Sequence, residues 1–587
     1  MSALTPRHHW VVRAPFPLTQ ATIDDARRRG LSARALRVLS RRGHVDPAEL
    51  SARFDPPEQG LHDPGLLPDA ELVVARVRRA RAAGEPVLVV GDFDADGLTG
   101  LAILSEALRV LGLTVEPWVP DRAREGHGLS AAAVAHARAR GHRLILTADT
   151  GSSSVAEVAE AAAAGIDVIV TDHHVVGPKP PAALALVNPH RPGSRYPDDR
   201  LSGAGVAFKV AQLLLRDEPG GHAAALGLAD LAAIGSIADV VPIAGENRCL
   251  VRLGLRQLAQ QPRPGLAAIM AAAGVGPGSV TAESVAFRLA PRINAMGRVG
   301  DPAVTAELLL ARDADVAVGL AQRLELANTL RRELTAEALA AARLVVAGQP
   351  DDPFCIVIGD WPVGIIGLVA GRLAEDFGRP TLVLSSQVLP WRGSARSVGG
   401  FDLAGAFEAC ADLFERHGGH PAAAGCHLPP AHEAELRQRL IELASGGPLP
   451  DPRPSLGIDL VQSGLSADHV LLAELKPLED AAEAPPLIGF AGLVVVRARL
   501  ATGGHTQLTL RRGRDVIDGI GFGRADLAEQ VVEGQVIDVV ARLASRTFAG
   551  LETLQLDVRD VAPAGWLAGM RSGAPQVQGA PPLEAVS

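Results

Sequence analysis

Three short apolar runs, each closing on acidic residues, constrain this chain more than any other feature. Val87-Leu88-Val89-Val90 runs into Gly91-Asp92-Phe93-Asp94-Ala95-Asp96-Gly97, His142 to Thr147 leads into Ala148-Asp149-Thr150-Gly151, and Val168 to Thr171 leads into Asp172-His173-His174. Helix-forming stretches separate them, at Leu98 to Leu111 and Ser154 to Ala164. Another helix precedes the first run through Arg81, and an apolar one follows across Gly205 to Leu215. Short buried strands alternating with helices predict an α/β fold with a doubly wound parallel sheet. In such sheets function gathers at the carboxyl ends of the strands, where all of these acidic groups fall.

In an extended segment residues two apart face the same side, which brings Asp92, Asp94 and Asp96 together. Carboxylates about 5 Å apart repel by roughly 3 kcal/mol per pair at an effective dielectric near 20, so the cluster calls for cations or raised pKa values. The spacing also mimics a calcium-binding hand, but its twelfth position is Ile103, where a bidentate Glu is required. The bland alternative is an Asp-rich turn that caps the next helix. Asp149, His173 and His174 add hard carboxylate and imidazole donors without thiolates, a set that favours Mn²⁺ or Mg²⁺ over structural zinc. A further apolar run, Ile234-Gly235-Ser236-Ile237-Ala238, closes on Asp239 and reads as a fourth such ending. Four endings can surround two metals about 4 Å apart, an arrangement suited to in-line attack of water on phosphorus.

A chain of 587 residues predicts several modules. Residues 1–60 read as a helical N-terminal segment with breaks at Pro47, Pro56 and Pro57, 61–250 as the parallel-sheet domain, and 251–350 as a helical connector. A second, smaller α/β module spans 351–445, and a Pro- and Gly-rich linker lies at Gly446 to Pro454. Residues 453–563 hold alternating strands at Leu493 to Leu500, Gln507 to Arg511, Val516 to Ile520, Val536 to Leu543 and Thr553 to Val558, which suggest an OB-like β-barrel. Residues 564–587 read as a disordered tail.

Composition narrows the partners. A net charge of −9 argues against coating nucleic acid over the whole surface and leaves room for a local basic channel. Only Lys179, Lys209 and Lys476 are lysines among 57 cations, so the positive charge is arginine, suited to bidentate phosphate contacts. Four cysteines without a CxxC pair support neither structural zinc nor disulfide stapling. No apolar run is read as long enough to cross a bilayer, so a cytoplasmic protein with no membrane partner is expected.

These residues resemble the DHH phosphoesterase family and, within it, the RecJ group of single-strand-specific exonucleases. The resemblance rests on GDFDADG at 91–97, ADTGSS at 148–153, DHH at 172–174 and SIADVVP at 236–242. It continues with APRINAMGR at 290–298, GSARS at 393–397 and GGHPAAAG at 418–425. It implies a DHH domain at 61–250, a DHH-associated domain at 351–445 and an OB fold at 453–563. Asp94, Asp96, Asp149, His173 and Asp239 would be metal ligands for two divalent ions, Mn²⁺ or Mg²⁺. Asp92 and Asp172 would be supporting acids, and His174 would contact the scissile phosphate. Arg122, Arg292, Arg298, Ser394, Arg396, Gly418, Gly419 and His420 would read substrate phosphates. The family usually has Tyr at 127, where this chain has His127, and commonly has His after Trp361, where Pro362 stands. The segment Leu475 to Asp480 lacks the Phe-Gly-x-Gly-Asn-Pro expected there.

The implied activity is 5′→3′ exonucleolytic release of 5′-mononucleotides from single-stranded DNA in recombination and repair. Both α/β modules would enclose a channel too narrow for duplex. The partners implied are single-stranded DNA, single-strand-binding protein and a RecQ-type helicase. Two rivals stand beside this reading: a DHH phosphodiesterase acting on short oligonucleotides, cyclic dinucleotides or pyrophosphate, and a DNA-binding relative without catalysis.

Overall fold

In the computed structural model, residues 4–121, 125, 126, 128–445, 453–462, 467–548 and 551–570 are described. The described residues form two units, one of 4–54 with 453–570, the other of 55–445.

The first unit opens with β1 (His9–Val12), followed by α1 (Gln20–Arg28), α2 (Ala33–Arg41) and α3 (Pro47–Phe54). The helices expected in this segment are present, but they do not stand alone. Helices of eight or nine residues cannot hold themselves together, and these bury Ala35, Val38, Leu39 and Leu50 in the barrel core. β1 pairs in parallel with Ser455–Ile458, and the Trp10 ring N–H donates to Asp560 at 2.9 Å. Residues 55–60 belong to the other unit, where Arg252 donates to the Asp55 carbonyl at 2.9 Å.

The second unit begins with α4 (Ala70–Ala83) and continues through β2 (Val87–Gly91), α5 (Ala95–Val110), β3 (Val115–Trp118), α6 (Ala131–Arg140), β4 (Leu144–Ala148), α7 (Val155–Ala163), β5 (Asp167–Thr171) and β6 (Ala185–Val187). The five strands form a parallel sheet in the order β3-β2-β4-β5-β6. β2 and β4 are buried along their whole length, as runs of Val, Ile and Leu covered on both faces must be. Then come α8 (Gly203–Leu215), α9 (Gly221–Leu226) and α10 (Ala229–Ala238). The 18-residue stretch Gly221–Ala238 is long and apolar enough to cross a bilayer, against the expectation that no such run exists. It is two helices broken at Gly227, and α10 is almost wholly buried, with Asp230 paired to Arg263.

The connector comprises α11 (Gly245–Gln260), α12 (Pro264–Ala272), α13 (Ala282–Ser284), α14 (Ala290–Ile293), α15 (Met296–Val299), α16 (Ala303–Leu309) and the 34-residue α17 (Ala314–Ala347). The smaller α/β module holds β7 (Cys355–Gly359), α18 (Val363–Phe377), β8 (Thr381–Ser385), β9 (Trp391–Arg396), α19 (Leu403–Glu408), β10 (Arg416–His420), β11 (Ala423–Leu428) and α20 (Glu433–Ala444). Its mixed sheet runs β10-β11-β9-β8-β7.

Back in the first unit, β12 (Ser455–Ile458), β13 (Leu460–Gln462) and α21 (His469–Leu475) precede β14 (Ile488–Ala501), β15 (His505–Arg512), β16 (Asp515–Gly521), α22 (Leu527–Gln530), β17 (Val536–Phe548) and β18 (Leu551–Pro563). The order β14-β15-β16-β18-β17, closed by pairing of β14 with β17, is a five-stranded barrel. Leu475 and Leu478, in the segment that lacks the family pattern, are buried in its core. The expected tail is corrected at its start, where Leu567 is buried and its N–H donates to Asp538 at 2.9 Å. Residues 571–587 of that expected tail, and 446–452 of the expected linker, lie outside the described residues.

Candidate metal centre and phosphate-binding residues

β2 ends at Gly91 and α5 starts at Ala95, so the acidic heptapeptide is not extended throughout, as the alternation argument required. Asp94 is the N-cap of α5, its Oδ1 accepting from the N–H groups of Asp96 at 3.0 Å and Gly97 at 3.1 Å. Capping and clustering are thus both true of this segment. Asp96 lies in the first helical turn and meets the start of α8, where its Oδ2 accepts from Gly203 N at 2.7 Å and its Oδ1 from Ala204 N at 3.0 Å. These are two of the N–H groups that a helix start leaves without an intrahelical partner. The Asp92 carboxylate accepts from Phe93 N at 2.9 Å.

Asp149 follows β4 with φ +61, a left-handed conformation uncommon for a residue with a side chain. Its side chain lies so close to α8 that a Cβ at Gly203 would sit 2.3 Å from the Asp149 Cβ. Only glycine allows that approach. Asp239 differs from its expected place: Ile234 to Ala238 is not a strand but the end of α10, with Asp239 as the C-cap. A short apolar run does not by itself distinguish a strand from a buried helix, and this one is an Ala-rich helix packed on α5 and α8.

These elements converge on the His173 imidazole. Its Nε2 lies 3.1 Å from Asp149 Oδ1, 3.7 Å from Asp239 Oδ2 and 3.9 Å from Asp96 Oδ2. Three overlapping donor sets result, Asp96 with His173 and Asp239, Asp92 with Asp94 and Asp149, and Asp149 with His173 and His174, the ligand atoms within each set lying within 4.8 Å of one another. Burial, reinforced by repulsion from Asp92 and Asp96, pushes the Asp94 carboxyl up to about 6. Burial with Asp96 and Asp94 takes Asp239 to about 8, and burial with Asp96, Asp94 and Asp239 holds Asp149 well above the carboxylate range. Burial lowers His173 and keeps it neutral, as a ligand must be.

One observation tests whether divalent ions fit. Asp149 Oδ1 is buried without a hydrogen-bond partner, although His173 Nε2 is 3.1 Å away. The two atoms are close but not aligned for a hydrogen bond, and the surrounding donors are hard oxygens with a neutral imidazole. That set suits Mn²⁺ or Mg²⁺.

His174 is a different group. Its Nδ1 is 2.8 Å from Asp172 Oδ1, a bond that raises the imidazole to about 9. Burial alone would raise Asp172, but the hydrogen bonds from His174 and from Ser152 N hold it far below the usual range. His174 is therefore an imidazolium, and its side chain is 60% exposed. Asn188, fully buried beyond β6, donates to the His174 carbonyl at 2.8 Å and to Ser152 Oγ at 2.9 Å.

In the smaller α/β module Ser394 and Arg396 lie two apart on β9 and face α18. A Cβ at Gly367 would be 3.1 Å from Ser394 Oγ and 3.2 Å from Arg396 Nη2. One turn earlier on α18, Gly364 lets the Arg298 backbone approach, and Arg298 Nη1 donates to the Gly364 carbonyl at 3.2 Å. The N-terminal end of α18 thus meets Arg298 at Gly364 and, a turn later, Ser394 with Arg396 at Gly367. β11 joins β9 to β10, with Ala423 opposite Arg396 and Gly425 opposite Ser394. On β10, Gly418 is open, and Gly419 has φ +148 where a Cβ would meet the Ala423 carbonyl at 2.4 Å. His420 Nδ1 accepts from Ala422 N at 3.2 Å, which puts the ring proton on the exposed Nε2. Arg292 pairs through its guanidinium with Glu325 of α17 at 2.5 and 3.2 Å and donates to the Arg288 carbonyl at 2.7 Å, contacts that lie within the connector. Arg122 and His127 lie outside the described residues.

Sequence reasoning missed Gly203, Asn188 and Asn294. Asn294 stands inside the 290–298 motif without a role of its own there, and Gly203 and Asn188 carry no local pattern.

The family model for the N-terminal domain of the DHH family matches residues 86–236, that for the DHHA1 domain residues 351–446, and that for the RecJ OB domain residues 481–560. Over 541 residues the chain is 35% identical to the single-stranded-DNA-specific exonuclease RecJ of Bacillus subtilis (strain 168), covering 90% of this chain and 68% of that protein. Over 577 residues it is 33% identical to the protein of that name from Dickeya dadantii (strain 3937), covering 93% of this chain and 98% of that one. The chain belongs to the RecJ family of single-stranded-DNA-specific exonucleases. The crystal structure of RecJ in complex with Mn²⁺ from Thermus thermophilus superposes with a TM-score of 0.79 at 29% identity, over 94% of this chain and 79% of that one. RecJ membership fits the three-part architecture, with a parallel-sheet domain, a mixed-sheet module and a closed barrel.

Proposed function

We propose that this chain is a metal-dependent exonuclease that hydrolyses single-stranded DNA from its 5′ end and releases 5′-mononucleotides in recombination and repair. The observation that carries the reading is the convergence of Asp96, Asp149 and Asp239 on one neutral imidazole, His173, with Asp92 and Asp94 gathered at Asp149, beside an imidazolium, His174. Bound divalent ions, Mn²⁺ or Mg²⁺, supply a Lewis acid at phosphorus and an acidified water. Asp94, Asp96, Asp149, His173 and Asp239 would hold them, with Asp92 in support.

The protein groups then divide the work. His174, fixed by Asp172 through Nδ1, presents Nε2–H to a non-bridging oxygen of the scissile phosphate and stabilises the charge gathered there. Arg298, Ser394 and Arg396 grip a terminal 5′-phosphate at the start of α18, and Gly418, Gly419 and His420 contact the strand behind it. Family membership and the DNA substrate support a cytoplasmic site of action, with single-strand-binding protein and a RecQ-type helicase as partners that supply and hold the strand.

The test is Mn²⁺-dependent release of mononucleotides from one labelled long single strand, compared with a dinucleotide and with the same strand in duplex. Preferred cleavage of the long single strand supports the reading. Preference for the dinucleotide would make the chain a short-oligonucleotide phosphodiesterase, and binding without cleavage would make it a non-catalytic relative.

A further inference from the structure

The segment Ala290 to Arg298 lies outside the parallel-sheet domain, yet it touches the acidic loop directly. Asn294 Oδ1 accepts from the N–H of Ala95, the first residue of α5, at 2.7 Å. The other donors of that helical turn are met from within the loop: Asp94 Oδ1 takes Asp96 N and Gly97 N, and the Asp94 carbonyl takes Leu98 N at 2.8 Å. Ala95 N has no such local acceptor. The unpaired donors of a helix start must be satisfied by something, and here the acceptor comes 199 residues away. One turn on, a Cβ at Gly297 would lie 2.7 Å from the Phe93 carbonyl, so α15 rests on the same loop. Ile293 and Ala295, which flank Asn294, are fully buried and fix its backbone.

Ala95 separates Asp94 from Asp96. A shift of its amide moves both carboxylates, one of which caps α5 while the other is held by the start of α8. We propose that Asn294 is a positioning residue of the metal centre, which holds the Asp94–Asp96 loop in register by accepting the Ala95 N–H. The arrangement makes the connector part of the metal site's support, since α15 also contacts α18 through Arg298 and Gly364. This rests on the proposed metal-dependent reading.

The test uses the full chain with Asn294→Leu, which keeps the side-chain shape and removes the acceptor, and Asn294→Asp, which keeps an oxygen in place. Mn²⁺ binding is measured directly, from the electron paramagnetic resonance signal of free Mn²⁺ in a titration without DNA, alongside thermal melting and steady-state kinetics on a single strand. Groups that orient metal ligands typically change metal affinity by roughly 10–100-fold. Asn294→Leu is expected to weaken Mn²⁺ binding by about tenfold and to lower kcat, with an unchanged KM for DNA, while Asn294→Asp stays within about threefold of wild type. Wild-type Mn²⁺ affinity in Asn294→Leu, or equal impairment in both variants, would overturn the proposal. If Asn294→Leu does not fold, Asn294→Ser, too short to reach Ala95, takes its place with the same expectations. Absence of Mn²⁺ binding by the wild-type chain would instead refute the metal-dependent reading beneath it.

Discussion

Replacing Gly203 by Ala adds one methyl group at the closest approach in the metal centre. That Cβ would stand 2.3 Å from the Asp149 Cβ, 2.5 Å from its Oδ1 and 2.6 Å from its Cγ. Carbon atoms at rest are about 3.5–4.0 Å apart, so the two elements must separate by more than about 1 Å. If Asp149 yields, its carboxylate leaves the position facing His173. If the start of α8 yields, the bonds of 2.7 and 3.0 Å that hold Asp96 are lost. Either movement misplaces a ligand by about 1 Å, enough to lower turnover roughly 10²-fold. Overpacking of this size destabilises by about 1–3 kcal/mol, offset in part by the better helix propensity of Ala, up to about 1 kcal/mol. The variant should therefore stay folded while losing activity and Mn²⁺ affinity. Thermal melting, Mn²⁺ calorimetry and kcat on a single strand read the three quantities separately. Gly205→Ala is the control, since its nearest contact would be 3.4 Å, and it should behave as wild type. Wild-type turnover and Mn²⁺ affinity in Gly203→Ala would refute the packing argument.

The raised carboxyls carry a linked prediction for stability. Asp94, at about 6, and Asp239, at about 8, sit above their unfolded values, so in chelator-treated protein their favourable contribution is complete below about pH 4 and lost as pH rises through about 6 and then about 8. The melting-temperature gain on adding Mn²⁺ should be larger at about pH 8.5 than at about pH 5, because the ligands bind metal deprotonated; an equal gain at both would contradict this. Arg396→Ala should slow cleavage of 5′-phosphorylated strands roughly 10–100-fold, the loss of a charged hydrogen bond, and 5′-hydroxyl strands far less. Equal losses on the two ends would mean that Arg396 serves the sheet or general phosphate contact. A chain cut after residue 445 leaves the apolar face of residues 4–54 uncovered and should aggregate. Residues 55–445 should melt cooperatively, hydrolyse very short oligonucleotides, and bind long strands less tightly with a smaller salt slope; unchanged affinity for long strands would remove the barrel from the DNA path.

The strand ends were legible because Val, Ile and Leu runs of four or five residues close on Asp, a local pattern that needs no tertiary information. Asp239 was legible as a site residue but not as a helix cap, because Ile234 to Ala238 is apolar in either conformation. The Asp92-x-Asp94-x-Asp96 spacing predicted convergence for a reason that holds only in part: α5 begins inside it, and the carboxylates are gathered by capping and by α8. The ion pair of Arg292 with Glu325 was not legible, because the two residues lie 33 apart in sequence. Separation in sequence likewise hid Gly203 against Asp149, Asn294 against Ala95, and β1 against β12. Alternation in the last third was enough to locate the barrel strands, while the cover from α1 to α3 was not visible, since those helices look alike whether free or packed.

If the carboxylates gathered at His173 hold the metals that cleave DNA, Asp149→Ala must lose that cleavage. The measurement is the initial rate of mononucleotide release from a labelled single strand over a range of Mn²⁺ concentrations, for wild type and variant, with melting curves to show that both are folded. The variant, folded like the wild type, should show no cleavage that rises with Mn²⁺. Near wild-type, Mn²⁺-dependent cleavage by Asp149→Ala would contradict it.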